Sequence, residues 1–380
     1  MNPRESRPLL PLTSVRFFAA LYVVLLHSVA WSNHLDTSSW FGRFLRTGYT
    51  AVGFFFVLSG YILAHVYLDT DLAFDRRKFW ISRFARTYPL LCTSLLLDVP
   101  NNFLAHLSLH SVSGAAVRTV VELTSELALL QAWDGHFRSI NAPSWSLSAE
   151  AFFYTLFPFL AFWVWRWKGR CALAFFFLCW ICALAAPLLV TWRYPPLFVE
   201  VDSSKMQWSI ELMPIFRLFE FLGGIALCSF QKSLSANLGQ RQMNNASYLL
   251  LCAGVILFII TIEFANRIPL LAMSNGFLLP VYGLVILGLT NVGGWLRNLL
   301  SHKWLVLLGE ASYALYLLHS PIWLYFSRLH VIDTLSIWCV YMAAVTAASL
   351  ASFLLLERPA RRAVLSLASI KPRVRLEQEE

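Results

Sequence analysis

The chain has 380 residues, 58% of them hydrophobic and 13% charged, with a mean hydropathy of +0.61. That balance lies outside the soluble globular range and excludes a single water-facing core. The formal net charge of +9 follows from basic residues gathered at one side of the apolar segments, so it does not call for nucleic acid as a partner.

Apolar residues fall in runs of about twenty, the length that crosses hydrocarbon. In chain order these predict spans at 14–33, 48–68, 80–99, 144–165, 171–192, 210–230, 246–264, 273–292, 304–326 and 334–356. Arg83, Arg86 and Pro89 interrupt the third, and a helix at 115–133 is too polar to span and is expected on the surface or against the bundle. With the N-terminus inside, more than half of the 30 Lys and Arg fall on the cytoplasmic side, among them Arg76, Arg77, Lys78, Arg166, Lys168, Arg170, Arg361 and Arg362. That bias supports both termini inside. Trp163, Trp165 and Trp167 ahead of Lys168 read as an aromatic belt at the membrane edge. The expected organisation is all-α: a polytopic membrane bundle of about ten helices over 14–356, with cytoplasmic tails at 1–13 and 357–380. All seven cysteines lie in or beside apolar spans, so no disulfide framework is expected. His27 interrupts the first apolar stretch, so that span is expected to be retained rather than cleaved as a signal.

Arg16 and His27 share the first span, eleven residues apart, which places them on nearly one helix face about 16 Å apart. An ionisable residue inside a membrane costs at least about 2.5–3.5 kcal/mol and is a functional candidate by default. Arg83 and Arg86, three apart near the inner end of the third span, join Arg16 in an expected ring of guanidiniums suited to a phosphorylated ligand. Counting depth from the outer side puts His27, Glu150 and His319 in a second, outer layer. An imidazole oriented by a carboxylate is the usual equipment of a general base. Arg217 and Glu220 read as a structural ion pair, Gly223 and Gly224 as a close helix approach, and Tyr313 and Tyr316 as packing. The nine histidines show no close ligand spacing on one helix, so no metal is expected; His34 beside Asp36 is a weak signal. Walker A, GxSxG and HExxH patterns are absent.

Seven short motifs occur in order: Arg16-x10-His27, Phe54-Phe55-Phe56-Val57-Leu58-Ser59-Gly60-Tyr61, Arg83-Phe84-Ala85-Arg86-Thr87-Tyr88-Pro89, Trp145-Ser146-Leu147-Ser148-Ala149-Glu150, Arg217-x2-Glu220-x2-Gly223-Gly224, Ser312-Tyr313-x2-Tyr316-Leu317-Leu318-His319 and Glu357-Arg358-Pro359. Together, over about residues 12–362, they resemble the acyltransferase 3 family of integral-membrane O-acyltransferases. The resemblance implies transfer of an acyl group, often acetyl, from cytoplasmic acyl-CoA to a hydroxyl on a glycan, lipid-linked sugar or small molecule, with no tightly bound cofactor. Its motifs fall on Arg16, His27, Arg83, Arg86 and Glu150; together with the depth reading, His27, Glu150 and His319 are the expected catalytic set and Arg16, Arg83, Arg86 and Tyr88 the expected donor-binding set. The resemblance also implies a bacterial inner-membrane location. Phe17 stands where many members carry glycine, and Ala149-Glu150-Ala151 lacks a commonly paired second acid. Some members carry a fused extracytoplasmic SGNH esterase-like domain; this chain is expected to act alone or with a separate partner.

A proton-coupled transporter or flippase is the competing reading, because intramembrane Arg, Glu and His also serve transport. No repeated halves support it, and the basic residues collect at one face. External loops at 34–47, 100–143, 193–209 and 265–272 are expected to shape the acceptor site. Loop 100–143, with His106, His110 and His136, is the first choice.

Overall fold

A computed structural model of the chain describes residues 8–30, 39–68, 74–133, 139–193, 205–237, 239–329, 335–368 and 370, and every regular element among them is helical. Long apolar runs in hydrocarbon have no water to satisfy the backbone, so each segment bonds its own N–H and C=O groups as helix. Helix α1 (Leu10–Ala30) is followed by the short α2 (Trp40–Arg46), whose first turn is capped by the Ser39 hydroxyl accepting from the Gly42 N–H. Next come α3 (Ala51–Tyr67), α4 (Arg76–Leu107), α5 (Val112–Leu127), α6 (Trp145–Trp165), α7 (Gly169–Arg193), α8 (Lys205–Leu212) and α9 (Pro214–Asn237). The chain continues through α10 (Gln240–Glu263), α11 (Leu270–Ser274), α12 (Leu279–Asn291), α13 (Gly294–Leu300) and α14 (Lys303–Glu310). It ends with α15 (Ser312–Leu329), α16 (Leu335–Ser352), a π-helical turn (Phe353–Glu357) and α17 (Arg358–Leu367).

Among the described residues eight helical stretches are long and apolar enough to cross a membrane, and α14 with α15, bent by 56°, makes a ninth. The protein is therefore an integral membrane protein. The remaining segment predicted as a span, 80–99, lies within α4. That helix is 32 residues long, about 48 Å, but its arginines, Asp98, Asn101 and Asn102 dilute its hydropathy. Asp75 caps its start by accepting the Lys78 N–H at 3.0 Å. Pro89 and Pro100 interrupt its internal ladder, and the nearby Thr87 and Leu97 carbonyls take hydrogen bonds from Tyr313 and Tyr325 of α15.

Burial separates a central group from a rim. The apolar windows of α3, α9 and α12 are 67%, 78% and 72% buried, whereas those of α7 and α10 are 22% and 17% buried. Along the middle of the rim helices large apolar side chains are exposed, Leu178, Ile181 and Leu189 on α7 and Leu249, Ile256 and Ile260 on α10, as a lipid-facing surface requires. The centre is closed by reciprocal glycines. A Cβ on Gly60 of α3 would run into the Phe221 carbonyl, and one on Gly224 of α9 into the Val57 carbonyl. The two backbones touch there, which is the close approach expected of Gly224.

Helix α5 is amphipathic in the opposite sense to a water-soluble helix. Thr119, Glu122 and Glu126 are buried while Val112, Val117, Val120 and Val121 are exposed. It is the helix expected at 115–133, packed on α4 through its polar face: Glu122 accepts from Asn102 at 2.9 Å and meets His106 at 3.1 Å.

Candidate active site

The site begins with α1, which packs on α14 and α15. His27 and His319 meet there, Nδ1 to Nε2 at 2.9 Å, with ring planes 11° apart. His319 is fully buried and His27 partly exposed. Pro321 organises this end of α15. It has no N–H, so it cannot bond the Leu317 carbonyl four residues back; Asn141 donates to that oxygen instead, at 2.9 Å. The neighbouring Tyr316 carbonyl lies 2.7 Å from His319 Nδ1, and Tyr341 of α16 donates to the His319 carbonyl at 3.1 Å.

These partners fix the tautomers. A carbonyl only accepts, so His319 carries its proton on Nδ1 and leaves Nε2 as the acceptor. His27 therefore donates from Nδ1 and keeps Nε2 as its unprotonated nitrogen. The more accessible imidazole of the pair thus holds the lone pair that proton abstraction or nucleophilic attack requires.

The second group gathers arginines. Arg16 shares one electrostatic neighbourhood with Arg86, Glu150, Glu357 and Tyr154. The Arg83 guanidinium stands over the rings of Tyr67, Phe79 and Tyr154 at 5.8, 5.9 and 6.0 Å, a geometry in which π faces hold a cation. Its buried Nε has no hydrogen-bond partner. Glu150 accepts from the Tyr154 hydroxyl at 2.7 Å and acts on Arg16, Arg83 and Tyr313.

The predicted residues thus divide differently from the expectation. Arg16, Arg83 and Arg86 come together, as do His27 and His319. Glu150 stands with the arginines rather than with the histidines, because residues 139–144 fold inward instead of forming an outer edge. Glu126 accepts from the Ile140 and Asn141 N–H groups at 2.8 and 3.3 Å and from the Ser144 hydroxyl, and Tyr316 holds the Pro143 carbonyl at 3.0 Å. Helix α6 consequently starts deep. The Trp80 indole bonds the Tyr154 carbonyl at 2.9 Å, which sets Glu150 beside the Arg83 turn of α4. Tyr88 also turns away: it stacks on Phe84 and donates to the Leu127 carbonyl of α5 at 2.9 Å, so its hydroxyl ties α4 to α5.

Two further residues join the arginines. Glu357, 5% exposed, ends the π turn, and Arg361 follows one turn later on α17, which packs on α4. Both act on the same neighbourhood as Arg16 and Arg86. Residues after 356 were expected as a tail; the i, i+4 spacing of Glu357 and Arg361 was the available signal for a helix pair turned inward.

Arg217 and Glu220 form a fully buried ion pair at 3.2 Å. Arg217 also donates to Asn275 at 2.8 Å and to the Ser274 carbonyl, while Glu220 accepts the Gly276 N–H at 3.0 Å. The hydrogen-bond partners lie on α9, at the end of α11 and in the connection that follows it, and the guanidinium also stands over the rings of Phe56 on α3 and Trp145 on α6 at 5.2 and 5.9 Å, so the pair ties four parts of the bundle together. In the region expected to contact acceptor, His106 is bound to Glu122, and His136, like His34 and Asp36, lies outside the described residues.

Comparison with known proteins bears on what this arrangement does. A family model described as an acyltransferase domain matches residues 12–356. YrhL of Bacillus subtilis, named as a candidate peptidoglycan O-acetyltransferase, is 26% identical over 370 residues, covering 92% of this chain and 54% of the relative. Acyltransferase MdmB of Streptomyces mycarofaciens is 30% identical over 345 residues, covering 87% and 82%. Peptidoglycan O-acetyltransferase OatA of Listeria monocytogenes is 24% identical over 377 residues, covering 94% and 57%. The chain thus spans little more than half the length of YrhL and OatA. No solved structure matches it.

Proposed function

The chain belongs to the acyltransferase 3 family, and from that premise we propose that it moves an acyl group, acetyl in the first instance, from acyl-CoA to a hydroxyl of a glycan acceptor. The names of the relatives support peptidoglycan as the first acceptor to test. The excess of basic residues on one side of the spans supports donor entry from the cytoplasm, across a bacterial inner membrane.

The observation that carries this reading is one helix with two different ends. Arg16 of α1 belongs to the arginine group and His27 to the histidine pair, about 16 Å apart along the axis. Guanidiniums bind phosphate through paired, charge-assisted hydrogen bonds, so Arg16, Arg83 and Arg86 hold the phosphates of CoA. The pantetheine arm, of similar length to that separation, carries the thioester to His27. Glu150, Tyr154, Glu357 and Arg361 position the arginines.

At the histidine end, His27 Nε2 takes the proton of the acceptor hydroxyl as its oxygen attacks the thioester carbonyl. The C–S bond breaks, and the imidazolium returns the proton to the departing thiolate. His319 accepts the His27 Nδ1 proton in hydrogen bonding throughout, which holds the tautomer and steadies the charge. The same Nε2 lone pair supports a second reading, acylation of His27 as a relay, whose signatures are a labelled enzyme and ping-pong kinetics.

Detergent-purified protein incubated with radiolabelled acetyl-CoA tests the proposal. Thioester turnover lost in His27→Ala is the expected result. Solute flux without turnover would instead favour the transporter reading.

A further inference from the structure

Buried polar atoms without hydrogen bonds are rare, and each calls for an explanation. In the arginine group the unpaired atoms are the donors Arg83 Nε and Arg361 Nε and the acceptor Glu357 Oε2. A second set lies where α4, α5 and the inward-folded segment before α6 meet: both carboxylate oxygens of Asp98, the carboxamide of Asn101, Gln131 Oε1 and Asn141 Oδ1. These four side chains are 1%, 4%, 1% and 0% exposed.

They form one connected group. Asp98 and Asn101 share a face of α4, and Asn101 approaches Asp98 without a well-formed hydrogen bond. Glu126 acts on Asp98 and holds Asn141 and Ser144; Gln131 donates to the Ser144 carbonyl at 2.9 Å. The amide orientations are settled, because Gln131 and Asn141 each give their NH2 to a backbone carbonyl. What remains is five acceptor oxygens and a single NH2 group. An anion has nothing to bind there, whereas a ligand bearing several hydroxyls satisfies both kinds of atom. Asn141 also bonds the Leu317 carbonyl two residues before His319, so this group adjoins the histidine end of the site.

We propose that Asp98 and Asn101, with Gln131 and Asn141, form the subsite that holds the hydroxyls of a sugar acceptor while another of its hydroxyls is presented to His27. The proposal rests on the acyltransferase reading above and supplies its acceptor side. Helix α5 meets α4 through the polar ties of Glu122 to Asn102 and His106, hydrogen bonds that a sugar entering between them can exchange.

The test is equilibrium binding of lysozyme-released peptidoglycan fragments to the detergent-purified full chain, measured by titration calorimetry. Wild type is compared with Asp98→Leu, Asn101→Leu and the control Gly239→Val. The fragment Kd is expected to rise at least about tenfold in the two Leu variants and to hold in Gly239→Val. The acetyl-CoA Kd should stay unchanged throughout. Because an unpaired buried carboxylate costs stability, the Asp98→Leu Tm should hold or rise by a few degrees. Wild type that fails to bind fragments, or Leu variants that bind them as well as wild type, would overturn the subsite. So would a lowered Tm with both ligands lost, the mark of a purely structural role. Acetyl transfer on the same samples separates the two proposals. Asp98-dependent binding without turnover keeps the subsite and removes the acyltransfer reading, and turnover with Asp98-independent binding does the reverse.

Discussion

The tautomer chain from Tyr316 through His319 to His27 gives individual side chains separable roles. Replacing His27 with Ala should abolish acetyl transfer with donor affinity kept, because it removes the reacting nitrogen. His319→Ala should lower kcat by about 10²-fold, toward the lower end of what a positioned base contributes, with both KM values little changed. Steady-state kinetics on purified protein checks both. Arg217 and Glu220 predict a different phenotype. Breaking a fully buried pair strands a charge, so Glu220→Ala should cost roughly 3–5 kcal/mol, read as a large drop in Tm rather than a change in donor KM. Much of this was legible in sequence, since an ionisable residue in an apolar run has few neutral explanations. The depth of Glu150 was not. Counting six residues from a presumed outer edge assumes that the edge is at 144, and nothing local to Trp145–Glu150 reveals that Glu126 and Tyr316 draw that segment inward.

Helices inherit their places from small residues and prolines. The reciprocal Gly60 and Gly224 contacts leave no room for a side chain because the neighbouring atoms are backbone carbonyls. Gly224→Val should therefore push α3 from α9 and cost more than the roughly 1–3 kcal/mol of ordinary overpacking. Loss of the monodisperse peak in size-exclusion chromatography would report it, while Gly239→Val, open on all sides, should run as wild type. Pro321 acts in the other direction, freeing the Leu317 carbonyl that Asn141 engages. Helix α5 was legible as a helix too polar to span, but its orientation depended on partners that sequence spacing cannot supply. Its buried glutamates find Asn102, His106 and the 139–144 segment only in three dimensions.

For the whole molecule, the apolar runs predicted the fold class and all but one of the spans. The exception, α4, is a long helix that carries Arg83 and Arg86 in one half and Asp98 and Asn101 in the other. Those polar residues lower its hydropathy, which is why it reads weakly as a membrane segment. The proposed reading gives the arginine group to the phosphates of the donor and the Asp98 group to the hydroxyls of the acceptor. Acetyl transfer from radiolabelled acetyl-CoA to peptidoglycan fragments, compared across wild type, Arg83→Ala and His27→Ala, tests that division. Arg83→Ala should raise the donor KM at least about tenfold with kcat largely kept, and His27→Ala should end transfer with donor binding intact. If Arg83→Ala left the donor KM unchanged and His27→Ala still turned over, the arginine and histidine ends would not serve one thioester carrier.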